Sequence, residues 1–200
     1  MTYTHMEEVF IARAGALSAK RNTASKIKAL CAAAGLENMV SPGDLTAVKV
    51  HFGERGNDAF VSALHVADIV SEVKEIRAKP FLTDTNTLYL GGRRNAVDHA
   101  ETAMRHGFCY PVTDCPVIIA DGLKGTNSQC VEVYGKHFDT VKVAADIAAA
   151  DSIVVVSHFK GHEVAGFGGA LKNLGMGCAS SVGKREQHTT RPFLKAETCI

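Results

Sequence analysis

Apolar positions along this chain switch repeatedly between a helical period and a strand-like one. Ile27, Leu30, Cys31 and Ala34 fall on one face of a helix over Thr23 to Ala34, with Gly35 placed to close it. Ser41, Pro42, Gly43 and Asp44 form a turn into LTAVKVHF, a strand that ends at Gly53. Phe60, Ala63, Leu64, Ala67, Val70 and Val73 then keep helical spacing in a helix over Phe60 to Ala78, and PFLTDT supplies a second strand. Asn95 caps a helix through Met104, Gly107 ends it, and PVIIAD makes a third strand. The alternation in QCVEVYG and HFDTVKVA predicts a hairpin-like excursion over Gln129 to Val143. A short Ala-rich helix and the strand SIVVVS follow.

Strands that alternate with helices predict an α/β fold: a mostly parallel sheet with helices on both faces, plus the small β-hairpin excursion. Residues 1–190 are expected to form a single α/β ligand-binding domain, with 191–200 a linker beyond it. In open sheets of this kind ligands bind beyond the carboxyl ends of the strands. Each predicted strand here ends in a polar, glycine-containing loop: HFGERGN, DTNTLYLGGRRN, DGLKG and HFKGHEVAGFGG. Four such loops on one edge predict a pocket.

The chemistry expected there comes from a few out-of-place residues. Lys49 and His51 alternate with Val48, Val50 and Phe52, so both lie on one face of a strand. Desolvating a lysine costs several kcal/mol unless it meets an anion or a carboxylate, so Lys49 reads as an ion-pair or ligand residue, or as a snorkelling one. Asp84 ends the second strand and is placed to pair with a lysine, orient a histidine, ligate a metal or cap the next turn. In SIVVVSHFKGHEVAGFGGALKNLGMG an apolar run passes into His158, Lys160 and His162, and a glycine cluster opens a helix carrying Lys172 and Asn173. Lys160, Lys172 and Lys184 supply positive charge; Gly166, Gly168 and Gly169 let a ligand approach the backbone, so these residues and Lys49 and Asn173 are the predicted anion site. His51, His158, His162 and Asp84 are the candidates for proton transfer, or for a metal. GFGG lacks the spacing of a triphosphate or dinucleotide loop. His99 and His106 read as solvated or capping residues.

Composition narrows the partners. Lys plus Arg number 22 against 21 Asp plus Glu, so the chain lacks the basic footprint of a nucleic-acid binder. No apolar run approaches the roughly 20 residues of a membrane span, and the acidic start is unlike a signal peptide, so a cytoplasmic location is expected. The six cysteines include no CxxC pair. Cys31 and Cys130 read as core thiols, and Cys178 as packing near the site. Cys199 is penultimate, in KAETCI.

KVHFGERGN, TDTNTLYLGGRRNAVDHA, DGLKG, SHFKGHEVAGFGGALKNLGMG and GKREQH, in that order from Lys49 to His188, resemble the landmarks of the domain of unknown function 362 family, whose members are often labelled iron-sulfur cluster-binding proteins. In many members the domain runs into a bacterial-type ferredoxin segment opening with C-I-G-C. The resemblance implies that Cys199 and Ile200 are its first two residues, with Cys199 a ligand of a [4Fe-4S] cluster in the full-length protein that this chain alone does not hold. GFGGALK is also similar to a glycine-rich segment of nickel-pincer lactate racemases.

The function expected is therefore an α/β domain of an iron-sulfur redox protein, an oxidoreductase component that binds an anionic small molecule or cofactor and works with a fused ferredoxin-like module. Two alternatives stay open at this point: a non-enzymatic domain that positions the ferredoxin module, and a metal-dependent enzyme akin to the pincer racemases.

Overall fold

In the computed structural model, residues 8–15, 18, 21–163 and 165–188 are described. Helix α1 (Thr23–Ala33) starts at Asn22, whose side chain accepts the Ser25 N–H at 2.9 Å. Gly35, in the left-handed region at φ 71°, passes the chain into the short α2 (Leu36–Met39). Three βα units follow: β1 (Leu45–Val50) with α3 (Ala63–Glu75), β2 (Lys79–Asp84) with α4 (Ala96–Arg105), and β3 (Val117–Ile119) after the single turn α5 (Tyr110–Thr113). A ribbon of β4 (Ser128–Glu132) and β5 (Thr140–Ala144) leads through α6 (Ala145–Ala148) to β6 (Ser152–Val156). A second ribbon, β7 (Lys160–His162) and β8 (Gly166–Gly168), precedes α7 (Ala170–Gly175) and α8 (Ser181–His188).

The main sheet is parallel throughout, in the order β3-β2-β1-β6, and helices flank it. It grows outward from β1 through β2 to β3, and then β6 returns to the other side of β1. The switch in direction therefore lies between β1 and β6, the place where an open α/β sheet leaves a crevice. All four strand ends reach the same edge, as their loops predict. The core joins Val48, Val50 and Phe52 to Val66 and Val70 of α3, Ala103 of α4, and Phe108. Both faces of β1 are covered, so its run from Thr46 to Val50 is buried without a gap.

Three local expectations are corrected. The second helix begins at Ala63 because Ser62 caps it and Phe60 is instead stacked on His106, ring centroids 4.5 Å apart. Its buried stripe is Ala63, Val66, Val70 and Val73, which leaves Leu64 outside. Cys130 is exposed and not a core thiol, because the predicted hairpin stands as its own two-stranded sheet rather than joining the main one. Cys178 is buried beside Ala144 and Ile147. The glycine cluster forms the β7–β8 ribbon before any helix, and the helix that follows has 6 residues.

The cap of α4 offers a direct check on this local chemistry. Asn95 Oδ1 accepts from both Val97 and Asp98 N–H at 3.0 Å. Asn95→Ala is expected to lose about 1 kcal/mol, read as a lower denaturant midpoint at unchanged slope.

Candidate functional site

Lys49 is 1% exposed, on the face of β1 opposite the Val48 and Val50 side chains. Its ammonium sits 2.9 Å from Asp84 Oδ1 and donates to Asn173 Oδ1 at 2.6 Å. Asn173, on α7, is oriented by its own amide nitrogen, which donates to Val156 O and Ser157 Oγ, both at 3.0 Å. One amide thus ties the end of β6 to the lysine of β1 across the switch point. Lys49 is an ion-pair residue, not a snorkelling one.

Asp84 closes β2 and gathers further donors. Its Oδ1 accepts the Thr85 N–H at 2.9 Å, and its Oδ2 accepts Arg93 Nη1 at 3.1 Å. Arg93, also buried, donates through Nε to Glu54 Oε1 at 2.7 Å and through Nη2 to the Tyr89 hydroxyl. Burial alone would raise the Asp84 carboxyl, but Lys49, His99 and Arg93 together outweigh it and hold it well below the usual carboxylate range. Asp84 is therefore a fixed negative charge between two buried cations. His99 overturns its expected solvated role: it is fully buried, edge-on to Phe52, with Nε2 3.5 Å from Asp84 Oδ2. At that length the contact is not a formed hydrogen bond, and neither ring nitrogen has another partner among the described residues. His106 does cap, ending α4 while its Nδ1 meets Phe52 O at 2.6 Å.

Helix α8 brings Lys184 to the same place. Its ammonium donates to Thr85 Oγ1 and to Ala179 O, and Thr85 in turn donates to Gly177 O at 2.7 Å. Burial pushes Lys184 down to about 8, against the pull of Asp84 and Asp121. The start of α8 is fastened by Asp121, fully buried at the end of the β3 loop, which accepts the N–H of Asn86 and of Ser181. Burial raises its carboxyl.

His51 stands just beyond β1 and is exposed, with protein packed against part of its ring. Its Nδ1 accepts the Gly53 N–H at 3.1 Å, which leaves the proton on Nε2, and Gly53 reaches that position at φ 81°. The protein packed against the ring, and then the charges of Arg93, Lys49 and Lys160, push it down to about 4 despite Asp84. At neutral pH His51 is thus an uncharged N–H donor. The same positive surroundings oppose a divalent cation at this imidazole.

The structure brings Lys49, Asp84, Asn173 and Lys184 into one network around Thr85. Lys160 and Lys172 are not part of it; their stems meet beside Gly168. Gly166, at φ 75°, begins β8, and Gly169 leads into α7 with Phe159 against it. His158 is half-buried between β6 and β7, whereas His162 is used inside the ribbon, its Nδ1 accepting the Ala165 N–H at 3.1 Å. Cys199 lies outside the described residues. Among the described residues, no three of His, Cys, Asp and Glu gather to hold a metal ion, and a cluster needs four thiolates. Of the described cysteines, Cys31 is on α1 and Cys130 on β4, Cys109 precedes α5, Cys115 precedes β3 and Cys178 follows α7, and no group of them gathers with other ligand residues to hold a metal. No described helix is long and apolar enough to cross a membrane. An apolar groove of about 310 Å3 between β5, β6 and α7 borders this region through α7, Ala179 and Gln187 but holds none of its charged groups.

Sequence reasoning missed Arg93, His99, Asn86, Asp121 and Glu54. One signal was available. DTNT, at 84–87, is four polar residues directly after an apolar strand, without a glycine or proline to turn them outward, and all four are buried.

No curated protein and no solved structure matches the chain. The profile of DUF362, a domain of unknown function, matches residues 46–196, a span that takes in the parallel sheet from the second residue of β1 on, both ribbons and the whole charged network. By that match the chain belongs to the DUF362 family.

Proposed function

We propose that the C-terminal edge of the sheet, at the switch between β1 and β6, binds a small organic anion and presents it for reaction as part of an oxidoreductase. The observation that carries this reading is the sign of the local charge. Lys49, Arg93 and Lys184 in the network, and Lys160 and Lys172 beside it, stand against Asp84, Asp121 and Glu54, and His51 is held neutral by burial first and then by the charges of Arg93, Lys49 and Lys160. An anion entering this edge gains the uncompensated charge of Lys160 and Lys172, and the His51 Nε2–H is free of any imidazolium role and suited to donate. Lys49 is committed to Asp84 and Asn173, so it sets the potential of the floor rather than gripping the ligand. The resemblance to iron-sulfur members of the family supports the redox part of the proposal, with a ferredoxin-like module as the partner that supplies electrons.

Lys172→Ala tests the site. Titration calorimetry with acetate, succinate and inorganic phosphate is expected to show binding to the native protein and at least a tenfold loss in the variant, with the fold intact by circular dichroism. Unchanged affinity would sink the assignment. One observation favours the alternative of a docking module: Phe159 and Phe167 are 73% and 59% exposed with ring centroids 5.6 Å apart. That reading takes over if no anion binds and electron transfer from the partner falls in Phe159→Ser while surviving His158→Ala and His162→Ala.

A further inference from the structure

Lys160 and Lys172 differ from the buried cations of the edge. Lys49 is paired with Asp84, Arg93 with Asp84 and Glu54, and the Lys184 ammonium is taken up by Thr85 Oγ1 and Ala179 O, whereas among the described residues neither Lys160 nor Lys172 has a carboxylate partner. The fold nevertheless holds the two together. Lys160 is the cross-strand partner of Gly168 in the β7–β8 ribbon, and Lys172 reaches the same glycine from α7. A Cβ on Gly168 would lie 3.7 Å from Lys172 Cδ and 4.0 Å from Lys160 Cγ, so both stems converge on the space that a side chain there would take. Burial lowers the Lys172 ammonium, and the Lys160 charge adds to it in the same direction. Lys160 bears on His51 in the same sense.

Two lysines without carboxylate partners, their stems converging at Gly168, match one ligand charge type. A carboxylate neutralises half of the pair and leaves the repulsion of the other half. A doubly charged head neutralises both and offers three acceptor oxygens for the two ammonium groups and the His51 N–H. We infer that Lys160 and Lys172, across Gly168, form the subsite for a phosphomonoester dianion. The inference rests on the anion-binding reading and narrows it to a substrate or cofactor class.

The test compares phenyl phosphate with benzenesulfonate, which has the same ring and a tetrahedral head but a single charge. At about pH 7.5 a phosphomonoester, with a second pKa near 6, is a dianion. Titration calorimetry is expected to give phenyl phosphate at least tenfold the affinity of benzenesulfonate. Lys160→Gln and Lys172→Gln should each remove about tenfold of the phosphate affinity and bring the two ligands level. Both variants alter side chains that carry no packing load in the core, and their denaturant midpoints should stay within about 0.5 kcal/mol of the native protein. Equal affinity for the two ligands overturns the dianion subsite while leaving an anion site in place. No affinity for either overturns both readings. A phosphate preference that survives both substitutions also overturns the subsite, since the phosphate then binds elsewhere. Sedimentation with phosphatidate vesicles separates the sources: recruitment that phenyl phosphate competes away makes the ligand a lipid headgroup, and its failure beside tight phenyl phosphate binding makes it a soluble ester.

Discussion

Asp84→Ala is expected to destabilise the protein by about 3–5 kcal/mol, the cost of leaving buried charge without its counterpart. The magnitude follows from position. Lys49 is 1% exposed and Arg93 2%, and Asp84 meets them at 2.9 and 3.1 Å. Without the carboxylate, Arg93 keeps Glu54, but Lys49 keeps only neutral partners such as the Asn173 oxygen. A chemical denaturation midpoint measures the loss, and the double variant Asp84→Leu with Lys49→Met should recover part of it by removing both charges. Acid reports on the same group. In the unfolded chain Asp84 titrates near 3.9, and in the fold it is held well below that. Its contribution is therefore complete above about pH 4 and is lost only as the pH falls through the lower folded value. His51 acts earlier: the unfolded ring takes up a proton near 6.5 that the folded ring refuses until about 4, so stability declines across that window as pH falls. A native protein that is equally stable at pH 7 and pH 4.5 would contradict the His51 placement.

Gly177→Ala is expected to cost about 1–3 kcal/mol and to weaken anion binding at the same time. A Cβ at Gly177 would sit 2.1 Å from Asn173 O and 3.0 Å from Asn173 Oδ1. The nearest obstacle is backbone, so the clash is relieved only by moving the last turn of α7, and with it the amide that holds Lys49 to Val156 and Ser157. Gly177 O is also the acceptor for Thr85, which links the strain to Lys184. Gly175 is the control. Nothing lies within 4 Å of its Cβ position, so Gly175→Ala should leave both stability and binding within experimental error of the native protein or slightly raise stability. If the two variants behave alike, the tight approach at Gly177 has no functional weight.

The parts of this molecule legible in its sequence are those encoded by near neighbours. The strand-and-helix alternation rests on local period, and Asn95 and Gly107 bracket α4 through bonds no more than five residues long. Lys49 and Asp84 were visible because each is out of place in its own strand. Arg93 was not, because nothing around it distinguishes a buried guanidinium from its exposed neighbour Arg94; only the return of its loop onto β2 buries it. Asp121 is similar, its partners Asn86 and Ser181 lying 35 and 60 residues away. His99 could have been found, since it shares a helical face with Thr102 and Ala103, both buried. The β7–β8 ribbon was hidden by its glycines, which carry no alternation of side chains for a strand pattern to use. Cys130 shows the opposite error: an alternating pattern does predict a strand, but not whether another layer covers it.

The place of β6 beside β1 has a consequence for the order of synthesis. Thr46 and Ser152 are hydrogen-bonded neighbours 106 residues apart in sequence. At roughly 5–20 residues per second, about 5–20 s pass between emergence of β1 and emergence of its second neighbour. During that interval β1 and β2 can pair, but one flank of β1 remains an open row of amides and carbonyls, and Lys49 waits for an amide still to be made. The nascent domain is thus most vulnerable to mispairing just before β6 appears, and a shielding chaperone would matter most in that interval.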